Sequence, residues 1–175
     1  MKKIILTIAI TLAFILGCKS SNSADSSNKL SVIFESKSKS TVTGTATFVE
    51  KNGKVTFESK IAGLSPGIHA IHIHEKADCA AADGSSAGGH WNPTFKKHGK
   101  WNEAEFHKGD IGNFTADEEG NGTIKMSTDE WCIGCADETK NILGKGLIVH
   151  AGADDFTTQP SGNAGARVAC SGLIK

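Results

Sequence analysis

Residues 67–75 read GIHAIHIHE. Three of the chain's seven histidines fall inside this stretch. Side chains on an extended strand alternate between its faces, so residues two apart point the same way. Read as a strand, the stretch puts His72 and His74 on one face, about 7 Å apart along the backbone. Ile71 and Ile73 then point the other way, into a core. A lone histidine is most often structural, but a same-face pair of imidazoles can converge on one metal.

The same alternation extends outward. In LSVIFES (30–36), Leu30, Val32 and Phe34 alternate with polar residues. TVTGTATFVE (41–50) is rich in β-branched residues, and Asn52–Gly53 is a turn signal before VTFESKI (55–61), which together make a hairpin. DIGNFTADEEGNGTIKMST reads as strand, Gly-Asn turn, strand. GKGLIVHAG and ARVACSGLIK are the last two strands, joined by ADDFTTQPSGNAG. Residues 76 to 110 hold no sustained periodicity, and long loops in compact domains are usually functional. No stretch carries a helical apolar stripe. The sequence predicts an all-β chain, a sandwich or flattened barrel of about eight antiparallel strands with two long loops.

The 175 residues carry 19 basic and 19 acidic side chains. A zero formal charge gives no electrostatic reason to expect a nucleic-acid partner. Lys2 and Lys3 precede an apolar run, Ile4 to Leu16, too short to span a bilayer comfortably. It reads as a secretory signal covering residues 1–18. The ending ILGC resembles a bacterial lipobox, whose cysteine, here Cys18, receives a lipid. The alternative is ordinary signal cleavage nearby, with Cys18 incidental. Residues 19–29, KSSNSADSSNK, suit a polar tether, which leaves 30–175 as the folded domain.

Export implies an oxidising compartment, where an even cysteine count points to disulfides. Cys79, Cys132, Cys135 and Cys170 allow three pairings. The simplest joins Cys132 to Cys135 and leaves Cys79 with Cys170, a long loop whose closure contributes about 4–5 kcal/mol in the chain-entropy model.

The other histidines add to the pair on the strand. His90, His98 and His107 lie in the long loop with Asp110 close behind, and His150 ends the apolar run GLIVH. Three histidines with one carboxylate suit a tetrahedral zinc site. His72, His74 and His150 suit copper through neutral imidazole nitrogens.

GLSPGIHAIHIHE, GGHWNP, KKHG, HKGDIGN, GLIVHAGADD and GNAGARVAC follow the order and spacing of the copper/zinc superoxide dismutases. The chain resembles that family from Leu30 onward, in a bacterial lipoprotein form. The resemblance implies a Greek-key fold and one copper and one zinc per chain. Copper would be held by His72, His74, His90 and His150, and zinc by His90, His98, His107 and Asp110, with His90 bridging. Asp154 would orient His72 and His98. Arg167 would attract and position the anion. The copper–His90 link would break and re-form so that His90 delivers a proton. Cys79 and Cys170 match the family's disulfide, and His69 matches a histidine that is not a ligand. Superoxide would be the substrate, the membrane would be met only through the N-terminal lipid, and a homodimer is common in the family. The location would be the periplasm, or the outer membrane as an anchored lipoprotein. Arg167 is the only arginine among the 19 basic residues, at the one place where a planar, always-charged group is wanted.

Two stretches depart from the family pattern. EWCIGCADETKN (130–141) is an insertion whose WCxxC looks like a redox motif. That chemistry needs the pair at the start of a helix, so a local structural disulfide is the preferred reading over a copper-loading or thiol-exchange site. FTTQPS (156–161) is short and uncharged, which would leave guidance of the anion to Arg167 and to Lys96, Lys97 or Lys100. A metal-storing module and a plain interaction domain are the competing functions. The first is opposed by the complete ligand set, and the second leaves the histidines unexplained.

Overall fold

The computed structural model describes residues 28–175. The signal segment, Cys18 and residues 19–27 lie outside the described residues. Nine strands form: β1 (Asn28–Ile33), β2 (Glu35–Ser36), β3 (Thr43–Lys51), β4 (Lys54–Ala62), β5 (Gly67–His74), β6 (Gly112–Ala116), β7 (Gly122–Thr128), β8 (Gly146–His150) and β9 (Arg167–Gly172). Asn28 and Lys29, assigned from sequence to the tether, belong to β1. Among the described residues the only helical element is one 3₁₀ turn, Ser85–Ala87.

The strands lie in the order β1-β3-β4-β7-β6-β5-β8-β9-β2, and every pairing is antiparallel. The single strand expected over 30–36 is two strands, broken at Phe34. Its first part pairs with β3 and its second with β9, at opposite ends of the order. One kinked segment thus nearly closes the sheet into a barrel and removes both long edges. This break is also why nine strands appear where eight were counted. β5 follows β4 in sequence but sits beyond β7 and β6, a Greek-key connection.

The β3–β4 hairpin turns on Asn52 and Gly53, both with positive φ (53° and 73°), as the Asn-Gly signal requires. From β4, Val55, Phe57 and Ile61 point into the core and meet Phe48 of β3, its ring 4.8 Å from that of Phe57. Burying each such ring contributes about 1.5–3 kcal/mol.

Two strands break the half-buried pattern. β5 is buried at six consecutive residues, His69 to His74, and β8 at all five. On β5, Ile71 and Ile73 join the main core. On β8, Leu147 and Val149 do the same, while Ile148 faces outward into a small cluster with Ala87 and Cys170. The outer face of these two strands is therefore covered by loops. A disulfide from Cys79 to Cys170 fastens one of those loops to β9.

Candidate metal centre

His72 and His74 stand on the covered outer face of β5, each at most 1% exposed. β8 pairs with β5 and delivers His150 to the same face. The long loop then runs beside the end of β5 as an added strand. His74 and His90 form an isolated bridge, Trp91 donates its amide to Ile73 O (2.8 Å), and Ile73 donates to Gly109 O (2.9 Å). Backbone hydrogen bonds thus carry His90 to the pair on β5. Gly109 is required at this crossing: a Cβ there would stand 2.1 Å from Ile73 O.

Two donor sets result, His72/His74/His90/His150 and His90/His98/His107/Asp110. In each set the donor atoms lie within 4.8 Å of one another, and all seven residues are buried. One ring nitrogen of each histidine has no hydrogen-bond partner: Nδ1 of His72, His98 and His107, and Nε2 of His74, His90 and His150. Buried polar atoms are rarely left unpartnered. Six orphans converging in two clusters have the arrangement to hold ions.

The opposite nitrogen of five of these rings is pinned. His72 Nε2 lies 2.8 Å from Asp154 Oδ2, and His98 Nε2 lies 2.9 Å from Asp154 Oδ1. His74 Nδ1 donates to Gly88 O (3.0 Å), His107 Nε2 to Lys96 O (3.1 Å) and His150 Nδ1 to Gly165 O (3.3 Å). His90 differs, because its two nitrogens face the two sets. Its Nδ1 is 2.8 Å from Asp110 Oδ1 while its Nε2 is the orphan in the histidine-only set.

The donor chemistry fits copper and zinc. Around Asp110, the Nδ1 atoms of His90, His98 and His107 approach to 2.8, 3.1 and 3.2 Å. A tetrahedral zinc with bonds near 2.0–2.1 Å needs donors about 3.3 Å apart. The other set is four imidazoles, a donor type that suits copper. Burial first, then the neighbouring histidines, holds His74 and His150 well below their ordinary range, so both are neutral lone-pair donors. Burial also lowers His90 to about 4, against the pull of Asp110. At His98 burial acts the same way, but the neighbouring carboxylates of Asp110 and Asp154 overcome it and raise His98 to about 9. Burial works against the Asp110 and Asp154 carboxylates as well, yet the histidines bonded to them hold both below the ordinary carboxylate range. The carboxylate-bearing set wants a cation and, without a metal, takes a proton on His98.

Asp154 spans both sets and is itself gripped. Asn113 of β6 donates its side-chain amide to Asp154 O (2.8 Å) and accepts from Asp154 N (2.8 Å). Gly162 must be glycine here, since its φ is +69° and a Cβ would stand 1.8 Å from Asp154 Oδ1. Gln159, from the uncharged FTTQPS stretch, accepts from His98 N and donates to His98 O, both at 2.9 Å. Neither Asn113 nor Gln159 was singled out from sequence. Asn113 lies inside the HKGDIGN motif, but Gln159 offers no local signal.

Arg167 begins β9 and lines the open cleft over the histidine-only set, with Lys96, Lys97 and Gln159 also on its walls and Lys100 not among them. Its guanidinium donates to Gly84 O (2.8 Å) and Gly88 O (2.7 Å). Both carbonyls belong to the loop held by Cys79–Cys170, and Gly88 O also fixes His74. His69 is apart from the chemistry: its Nδ1 is 3.0 Å from His150 O and its Nε2 is 2.8 Å from Ser65 O. The second disulfide joins Cys132 to Cys135.

Comparison with known proteins points the same way. The family model described as copper/zinc superoxide dismutase matches residues 42–174. "Superoxide dismutase [Cu-Zn] 2" of Aquifex aeolicus (strain VF5) is 37% identical over 139 residues, covering 77% of this chain and 80% of its own. "Superoxide dismutase [Cu-Zn] 1" of the same organism is 36% identical over 137 residues, covering 75% and 79%. Among solved structures, the clock protein EA4 superposes with a TM-score of 0.73 at 33% identity, covering 83% of this chain and 94% of that one.

Proposed function

Because the chain belongs to the copper/zinc superoxide dismutase family, we infer that it converts two superoxide anions and two protons into dioxygen and hydrogen peroxide. Copper, when bound, supplies the one-electron couple, and zinc, which has no redox chemistry, supplies fixed charge and geometry. We assign His72, His74, His90 and His150 to copper and His90, His98, His107 and Asp110 to zinc. The observation that carries this reading is the pair of buried donor sets joined through the two nitrogens of one imidazole.

The remaining roles belong to the chain's own groups. Arg167, fixed by two carbonyls and permanently charged, holds the anion in the cleft beside the copper set. Lys96 and Lys97 on the cleft walls add attraction. His90 Nε2, the nitrogen facing the copper set, holds the proton that completes the peroxide. Asp154 keeps the Nδ1 atoms of His72 and His98 aimed into the two sets by binding their Nε2 atoms.

Two disulfides fit an exported protein. We further assign residues 1–18 to a signal peptide, Cys18 to lipidation, and 19–27 to a tether in the periplasm or on the outer membrane of a bacterium. Homodimerisation is the remaining assembly to weigh by light scattering. The acylated N-terminal peptide should appear by mass spectrometry and vanish in Cys18→Ser.

The test of the activity is metal content and superoxide decay on the purified domain. One copper and one zinc per chain, with decay suppressed by cyanide, is the expected result. A copper-loaded protein without cyanide-sensitive decay would overturn the reading.

A further inference from the structure

The insertion between β7 and β8 is the sequence feature that the metal centre leaves unused, and it reaches the zinc ligands. Trp131 is 1% exposed, and its indole N–H donates to Lys108 O at 2.8 Å. Lys108 follows His107 and precedes Asp110 by two residues, so the held carbonyl sits between two members of the zinc set. Glu130, directly before Trp131, forms an ion pair with the Lys108 ammonium. The Trp131 ring also packs edge-on against Trp101 (5.2 Å), which contacts Phe106 (5.1 Å). Trp101 and Phe106 both lie between His98 and His107. The insertion therefore touches the zinc loop at its middle and at its end.

The grip is rigid at its other side. Phe48 and Phe57 in the barrel core back the Trp131 ring at 6.1 and 6.3 Å. Ile133 and Ile142 are both buried in that core. Ile133 N donates to Glu50 Oε2 (3.0 Å), Cys132 N to Lys140 O (2.8 Å) and Ile142 N to Cys132 O (3.1 Å). The Cys132–Cys135 disulfide closes the turn immediately after Trp131. A loop with two anchors in the core and a covalent closure offers the zinc loop a fixed donor.

We infer that Trp131 is a positioning residue for the zinc set, acting on His107 and Asp110 through the Lys108 carbonyl, with the Cys132–Cys135 turn as its clamp. This rests on the assignment of that set to zinc. The WCxxC motif then serves as a bracket rather than a thiol-exchange site, which explains why its tryptophan is buried and its disulfide is local. Groups that hold metal ligands from behind typically change metal affinity about 10–100-fold when removed.

The experiment uses Trp131→Phe, which keeps an aromatic ring against Trp101 and removes the N–H donor together with one ring of the indole. Zinc release from the metal-loaded protein to a chelator should accelerate about tenfold. With cobalt in place of zinc, the visible ligand-field bands should shift, and amide exchange should rise over residues 107–111. A merely structural role would lower thermal stability and leave the cobalt bands and zinc release at wild-type values; that outcome overturns the inference. Cys132→Ser/Cys135→Ser should also release zinc faster, by a smaller factor, and decides the matter if Trp131→Phe does not fold. Unchanged release in the serine variant removes the clamp. If the wild-type protein itself takes no zinc at His90, His98, His107 and Asp110, the metal assignment has failed instead, and the two failures are distinguishable before any variant is made.

Discussion

With copper and zinc assigned as proposed above, the two halves of the metal centre share His90 and are built in opposite ways. The copper half stands on the sheet. His72, His74 and His150 belong to adjacent strands, and two of the three have their outer nitrogens fixed by backbone carbonyls. Burial keeps His74 and His150 neutral. The zinc half stands on a loop of no regular structure and is organised around carboxylates. Asp110 accepts from the amides of Gly99 (3.2 Å) and His107 (2.7 Å) as well as facing three imidazoles. The sheet can hold copper ligands in place without a metal. The zinc loop needs a cation at its centre to offset its buried carboxylate charge.

The sharpest way to break this comparison is His74→Ala. It deletes a donor from the sheet-borne half and leaves the zinc loop untouched. Superoxide decay should fall by more than the roughly 100-fold that loss of an outer partner can cost, while the metal-free protein still folds, its melting temperature lowered only by the cavity and the lost bond to Gly88 O. Retained activity would sink the copper assignment. Asp154→Asn comes next, because it strikes both halves at once. One amide cannot accept as a carboxylate does from His72, His98 and the amide of Phe156 (2.7 Å). Affinity for both metals should drop about 10–100-fold by competition titration. If only one metal is weakened, Asp154 does not couple the halves.

Zinc and pH test the charge argument together. The folded value of His98, about 9, exceeds its unfolded reference of 6.5. Its contribution to stability is fully present below 6.5 and is lost as pH rises through 9. The melting temperature of the metal-free protein should therefore fall between pH 7 and pH 9. Zinc replaces that proton and should flatten the slope. At pH 7, free zinc at about 100 times its dissociation constant adds about 2.7 kcal/mol, a rise of about 5–10 °C for a domain of this size. Thermal scans with and without zinc at the two pH values check both signs. A metal-free melting temperature that rises from pH 7 to pH 9 would contradict the assigned role of His98.

That His72, His74 and His150 meet on one face was legible in the sequence because strand alternation is local. HxH on a β-branched run carries its own geometry, and GLIVH does so again. The clustering of His90, His98, His107 and Asp110 was legible only through the ordered motifs, since no period says which loop residues meet. The kink at Phe34 was not legible: LSVIFES alternates without a flaw, and what breaks it is competition between β3 and β9 for one segment. Asn113 and Gln159 were missed for a related reason. Each acts by hydrogen-bonding to the backbone of a residue 41 or 61 positions away. The chemistry of an amide in a loop gives no hint of that distance. Trp131 was read as part of a disulfide motif, and its indole contact to Lys108 spans 23 residues with no shared pattern.

Gln159 supplies the smallest and most selective test of the comparison. Its side-chain amide pairs with both backbone groups of His98, as a strand partner would, and so gives the loop-borne half a substitute for the ladder that β5 receives from β8. Gln159→Ala removes one donor and one acceptor carried by an exposed side chain. Each hydrogen bond contributes about 0.5–1.5 kcal/mol, and water can replace part of it. Stability of the zinc-loaded protein should drop by about 1 kcal/mol, with faster amide exchange confined to His98 and Gly99. The copper half has no contact with this side chain beyond the shared cleft, so the copper EPR spectrum should stay as in the wild type. A change in that spectrum would mean that the loop also sets the geometry of the strand-borne ligands, and the division between a rigid half and a metal-ordered half would have to be redrawn at His90.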